Sequence, residues 1–124
     1  MVIFYADDDH DDRELFADAL EEVNPGVKLV MASNGLEIIE LLENQKEVPD
    51  FIFLDINMPV MSGKECLKKL KKVDRLKSVP VIMCTTTSNK EEFKNLVLLG
   101  AADCLIKGIS FQAIKDSLRS ILIN

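Results

Sequence analysis

The sequence is poor in the residues that build disulfide frameworks, zinc sites and nucleic-acid surfaces. It has three cysteines, Cys66, Cys84 and Cys104, and one histidine, His10. The cysteines are odd in number, form no CxxC and fall on apolar positions, so buried, reduced thiols are expected rather than disulfides or metal ligands. His10 has no second histidine to share a metal ion, and it stands among Asp8, Asp9, Asp11 and Asp12 as a solvated side chain. Cations are scarce as well: 15 Lys and Arg face 21 Asp and Glu, a net charge of -6. That balance argues against binding the phosphate backbone of nucleic acid, so any role in transcription is indirect. No apolar run approaches the roughly 20 residues of a membrane span, and Met1-Val2-Ile3-Phe4 lacks the basic flank of a signal peptide. A cytoplasmic protein without membrane contact is expected. At 124 residues the chain suits one compact domain, residues 1–124, with no length for an effector domain.

What the chain does have is alternation. Apolar runs at 2–6, 27–32, 51–54, 79–84 and 104–106 alternate with stretches of helical period at 12–23, 35–44, 63–73, 90–99 and 111–122. The runs are nearly continuous, as expected of strands covered on both faces in a parallel sheet. Five strand-helix units of this length predict a doubly wound α/β sandwich. Cap-x-x-Glu spacing marks four helix starts: Asp11 with Glu14, Asn34 with Glu37, Ser62 with Glu65 and Ser88 with Glu91. Phe111, Ile114, Leu118, Ile121 and Leu122 form one stripe of the last helix, which is expected to pack on the sheet. Lys64, Lys68, Lys69, Lys71 and Lys72 make a basic face that reads as solvated surface.

Asp55 ends the run Phe51-Ile52-Phe53-Leu54, Asp7 and Asp8 end the first run, and Lys107 ends the fifth. In open α/β sheets ligands bind outside the carboxyl ends of the strands, where Asp7, Asp8, Asp55, Thr85 and Lys107 all fall. Carboxylates about 4 Å apart repel by roughly 4 kcal/mol per pair at an effective dielectric near 20, so their convergence calls for a cation. Mg2+ fits, because it is typically held by one or two carboxylates together with waters and phosphate oxygens. Lys107 and Thr85 are placed to stabilise phosphoryl oxygens, and Asp55 is the candidate nucleophile that would form an acyl phosphate. Asp9, Asp11 and Asp12 read as caps and solvated charge. A calcium loop starting at Asp7 fails, because its sixth position is Asp12 rather than Gly and its twelfth is Asp18 rather than Glu.

These residues resemble the receiver domain of two-component response regulators. The resemblance is carried by Asp7-Asp8 with Arg13, Phe53-Leu54-Asp55-Ile56-Asn57-Met58-Pro59, Ser62-Gly63, Val79-Pro80-Val81-Ile82-Met83-Cys84-Thr85, Gly100-Ala101 and Lys107, in order along essentially the whole chain. It implies a flavodoxin-like (βα)5 three-layer sandwich with strand order 2-1-3-4-5. It also implies that Asp55 accepts a phosphoryl group from a histidine kinase or a histidine phosphotransfer protein. Asp8, Asp55 and the Asn57 carbonyl would hold Mg2+, with Asp7 acting mainly through a water. Lys107 would bridge to the phosphoryl group, and Thr85 would carry the switch to a face made by the fourth helix, fifth strand and fifth helix. Asn57 and Thr87 occupy positions that tune phosphoryl lifetime in the family.

Two departures stand out. Gly108 follows Lys107 where the family usually has a cis proline, and Cys104 replaces the rotating aromatic of the fifth strand. A trans, looser loop is expected, since a cis bond to a non-proline residue costs about 3 kcal/mol. Phe93, Leu96, Val97, Leu98 and Leu99 exceed a single core stripe; Leu98 or Leu99 is either further core or an exposed surface for partners or a homodimer. Two other functional readings stay open: a receiver-like interaction module that is never phosphorylated, and an aspartate-nucleophile phosphatase of the haloacid dehalogenase type using Asp7 with Asp9 as acid.

Overall fold

The computed structural model describes residues 1–123. Five strands and five helices alternate: β1 (Val2–Ala6), α1 (His10–Val23), β2 (Lys28–Ala32), α2 (Gly35–Asn44), β3 (Phe51–Asp55), α3 (Gly63–Leu70), β4 (Val81–Thr85), α4 (Lys90–Leu98), β5 (Asp103–Ile106) and α5 (Phe111–Ile123). All paired strands run parallel, in the order β2-β1-β3-β4-β5, which is the expected doubly wound sheet.

Successive side chains of a strand point to opposite faces, and the central strands feed one core on each. Phe4, Ala6, Ile52, Leu54, Val81 and Met83 pack with Ile38, Leu42, Leu67, Leu70 and Leu96 from α2, α3 and α4. Ile3, Tyr5, Phe53, Ile82, Cys84 and Leu105 pack with Phe16, Ala19 and Leu20 of α1 and Ile114 and Leu118 of α5. The uninterrupted apolar runs mark the central strands β1, β3 and β4, whereas β2 and β5 at the edges are only partly covered. Register brings the carboxyl ends level: Ala6 pairs with Leu54, Asp55 with Cys84 and Thr85 with Ile106.

Several local expectations need correction. Asp9, not Asp11, caps α1, its side chain accepting from the Asp12 amide, because the helix begins two residues earlier than its apolar period. Asn89, not Ser88, caps α4; its side-chain oxygen reaches two amides, those of Glu91 and Glu92. Asn34 caps α2 as expected, and Ser62 with Glu65 completes a capping box on α3. Helix α3 stops at Leu70 rather than at 73, and turns follow that bury Leu76 and Val79. Cys66 and Cys84 are buried free thiols as expected, but Cys104, on an edge strand, is only half-buried. The surplus apolar residues of α4 divide: Leu96 is core, Leu99 packs against it, and Leu98 is 84% exposed.

Candidate functional site

Because the central strands end level, each delivers its terminal residue to one edge of the sheet. Asp7 follows β1 directly and is completely buried, with its amide donating to the Ala32 carbonyl at 3.1 Å. Its carboxylate already accepts from three protein donors. Oδ2 accepts from the Tyr5 hydroxyl at 2.6 Å and from Lys107 Nζ at 2.7 Å, and Oδ1 accepts from the Asp9 amide at 3.0 Å. Arg13 Nη1 donates to the Asp7 carbonyl at 2.7 Å, which ties the start of α1 to the same point. Asp8 is exposed.

Asp55 closes β3 and is buried, with one oxygen 3.3 Å from Lys107 Nζ. The turn behind it is tight: a Cβ on Gly63 would fall on the Asp55 carbonyl oxygen, and the Gly63 amide donates to the Ile56 carbonyl at 2.8 Å. Only glycine allows α3 to start this close to the strand. Burial pushes the Asp55 carboxyl up to about 6, the Asp7 charge adds to the rise, and Lys107 opposes it. Burial also works against the Lys107 ammonium, but Asp7, Asp12 and Asp55 outweigh it and hold the group charged, with its pKa above the ordinary lysine value.

Oxygens of Asp7, Asp8 and Asp55 lie within 4.8 Å of one another. Three carboxylates, those of Asp7, Asp12 and Asp55, meet one ammonium, and the hard oxygen donors left over suit a small dication. The less engaged oxygens belong to Asp8 and Asp55, since Asp7 already accepts three hydrogen bonds and keeps room for little more than a water. Asn57, two residues past Asp55, is exposed in the loop. Thr85, the last residue of β4, is buried; its hydroxyl oxygen accepts from the Thr87 amide at 3.2 Å. A concavity of about 410 Å³ opens beside it, lined among others by Asn57, Lys64, Thr87 and Glu92.

The peptide between Lys107 and Gly108 is trans, and Gly108 takes a left-handed φ of +74°. Lys107 is nonetheless well placed. Its backbone amide donates to the Thr85 carbonyl at 2.7 Å, and its ammonium also meets Asp12 at 2.9 Å. Asp12 is therefore a site residue and not merely solvated charge. Tyr5 is the other residue missed; it lies two positions before Asp7 on the same strand face, and that period-two spacing was the available signal. Asp12 lies in the first turn of α1, three residues after the capping Asp9. His10 is exposed and pairs with Glu14 at 3.0 Å. On β5, Cys104 sits beside Met83 and packs against the α2, α3 and α4 core, its thiol pushed up to about 11 by burial.

A family model described as the response regulator receiver domain matches residues 3–119. The polar-differentiation response regulator DivK of Brucella anthropi is 30% identical over 120 residues, covering 97% of this chain and 94% of that protein. The chain spans only 13% of another relative, the sensor histidine kinase CheAY of Helicobacter pylori, at 31% identity over 109 residues. Among solved structures, the chemotaxis response regulator CheY4 of Vibrio cholerae superposes with a TM-score of 0.85 at 26% identity, covering 98% of each chain. A Mn2+-bound form of response regulator Rcp1 superposes with a TM-score of 0.82 at 26% identity, covering 97% of this chain and 90% of that one. A complete sheet edge of two leading acids, a buried acid, a threonine and a lysine, on this topology and with these relatives, places the chain among the CheY-like receiver domains of two-component response regulators.

Proposed function

We propose that the protein is a phosphoacceptor switch, in which Asp55 takes a phosphoryl group from the phosphohistidine of a histidine kinase or a histidine phosphotransfer protein. The observation that carries this reading is Asp55 itself. It is a carboxylate buried at a strand tip, 3.3 Å from Lys107 Nζ, with Asp7 and Asp8 oxygens within 4.8 Å. An Asp55 oxygen attacks phosphorus, the bond from phosphorus to the imidazole nitrogen breaks, and its electron pair stays with the histidine ring of the donor. Lys107 passes one N-H from the Asp55 carboxylate to a phosphoryl oxygen, and the Thr85 hydroxyl donates to another. Mg2+, held by Asp8, Asp55 and the Asn57 carbonyl with Asp7 acting through a water, would neutralise phosphoryl charge at this site. The Mn2+ in the Rcp1 structure supports a dication here.

Asp7 is a poor nucleophile by comparison, because Oδ2 already accepts from Tyr5 and Lys107 and Oδ1 from the Asp9 amide. The domain signals by contact rather than by turnover. The output surface is the face made by α4, β5 and α5, where Leu98 and Val97 stand exposed beside a shallow concavity of about 420 Å³. A homodimer would use the same face. No helix among the described residues is long and apolar enough to cross a membrane, and the net charge of -6 disfavours nucleic acid, in keeping with a cytoplasmic partner-binding role.

The test is intact mass after incubation with acetyl phosphate and Mg2+. The wild-type protein gains one phosphate-sized increment and Asp55→Asn gains none. An increment that survives in Asp55→Asn moves the acceptor elsewhere, and none in the wild type makes the protein an unphosphorylated interaction module.

A further inference from the structure

Lys107 has more anionic company than contact with a phosphoryl group requires. Its ammonium offers three donors, and three carboxylates stand around it: Asp7 at 2.7 Å, Asp12 at 2.9 Å and Asp55 at 3.3 Å. The three partners are not equivalent. Asp55 is the reacting group, so its oxygens change when it is modified. Asp7 is immobile, buried and bonded to Tyr5. Asp12 comes from another element altogether, the first turn of α1. Its amide bonds to the Asp9 side chain at 3.1 Å, and Phe16, Ala19 and Leu20 anchor the helix in the core.

The loop that carries Lys107 is the weakly held part. It runs straight into Gly108 at φ +74°, where nothing lies within 4 Å of an added Cβ, and residues 108–110 are exposed. A long lysine side chain loses much rotamer freedom when fixed, so a loop that does not hold it must be helped by its partners. We propose that Asp12 is a positioning residue for phosphoryl acceptance: with Asp7 it gives Lys107 two fixed anchors, which aim the third N-H at Asp55. When Asp55 is modified, that third N-H passes to a phosphoryl oxygen while the other two stay in place. The inference rests on Asp55 being the acceptor. It assigns to helix α1 part of the work that the loop after Lys107 leaves undone.

Two measurements on Asp12→Asn and Asp12→Glu test it. The 1H-15N signal of the Lys107 ammonium, assigned by its loss in Lys107→Arg, is read without any phosphodonor; a held ammonium exchanges slowly enough with water to be seen. It is sharp in the wild type, broadened or lost in Asp12→Asn and regained in part by Asp12→Glu. Affinity for beryllofluoride, with Mg2+ present, falls about tenfold in Asp12→Asn, the effect of losing one charge-assisted hydrogen bond at a partly exposed site. Affinity for Mg2+ alone stays within about twofold, because Asp12 lies outside the group of three acids that would hold the ion. A Lys107 signal unchanged in Asp12→Asn, or beryllofluoride binding as tight as in the wild type, overturns the inference. Wild-type protein that binds no beryllofluoride and gains no phosphate overturns instead the reading of Asp55, and the ammonium signal still decides whether Asp12 holds Lys107.

Discussion

At the scale of the residue, Asp55 is held in a state that costs the folded protein stability. Burial and the neighbouring Asp7 lift its carboxyl to about 6, against an ordinary value near 4 in the unfolded chain. An acid whose folded-state value is raised contributes stability that is fully present below about pH 4 and is lost as the pH rises through about 6. Asp55→Asn keeps the shape and removes the charge. Without divalent cations it is therefore expected to be more stable than wild type at pH 8, by about 1–2 kcal/mol once screening at the exposed edge is allowed for, and equal to it at pH 4. Urea unfolding in a chelating buffer at the two pH values checks this; an equal gain at both would sink the electrostatic account. Asp55 was legible in the sequence because a charge ending an apolar run is conspicuous wherever it occurs. Asp12 was not, because its partner lies 95 positions away and the pairing depends on which helix lies over which strand end.

Among the elements, the segment from the end of β3 to the start of α3 sets the position of Asp55 and carries two opposite backbone constraints. Val60 stands there at φ +69°, a left-handed conformation that costs a β-branched residue about 1–2 kcal/mol, and its side chain is exposed and packs little. Three residues on, Gly63 brings its backbone against Asp55 and Ile56, with the Ile56 Cα only 2.9 Å from where a Cβ would stand. Val60→Gly is expected to stabilise the fold by about 1 kcal/mol, the relief of strain exceeding the added freedom of the unfolded chain. Gly63→Ala is expected to destabilise it by about 2–3 kcal/mol and to slow labelling by acetyl phosphate, since α3 must move away from the end of β3. Chemical denaturation of both variants checks the two signs, and a Gly63→Ala protein of wild-type stability would mean that the turn relaxes freely. Helix boundaries were the less legible feature of this scale. Asp9 and Asp11, like Ser88 and Asn89, are chemically able caps within two residues of each other, and the choice is made by where the helix axis meets the sheet. Ser62 with Glu65 had no such rival and was read correctly.

Over the whole molecule, the sheet gathers at one edge the charges that the sequence scatters over a hundred positions. The topology was legible because each apolar run is followed by one helix and the central runs lack polar interruption, which leaves few arrangements for a right-handed parallel sheet. What the runs could not convey is how far protein donors already satisfy each acid: Asp7 accepts from Tyr5, Lys107 and the Asp9 amide, whereas Asp8 is exposed. The unsatisfied part couples the site to the stability of the entire domain. A dication that binds the folded edge and not the unfolded chain adds about 2.7 kcal/mol at a hundred times its dissociation constant. For a domain of this size that corresponds to a rise of roughly 10 °C in Tm. Mg2+ is thus expected to raise Tm strongly at pH 8 and less as the pH falls through about 6, where the proton on Asp55 competes with the metal. Asp8→Asn is expected to remove most of the rise. Thermal scans against MgCl2, with KCl at matched ionic strength as the control, separate a bound ion from general screening of the net charge of -6. If KCl raised Tm as much as MgCl2, the acidic edge would be a screened patch and not a metal site.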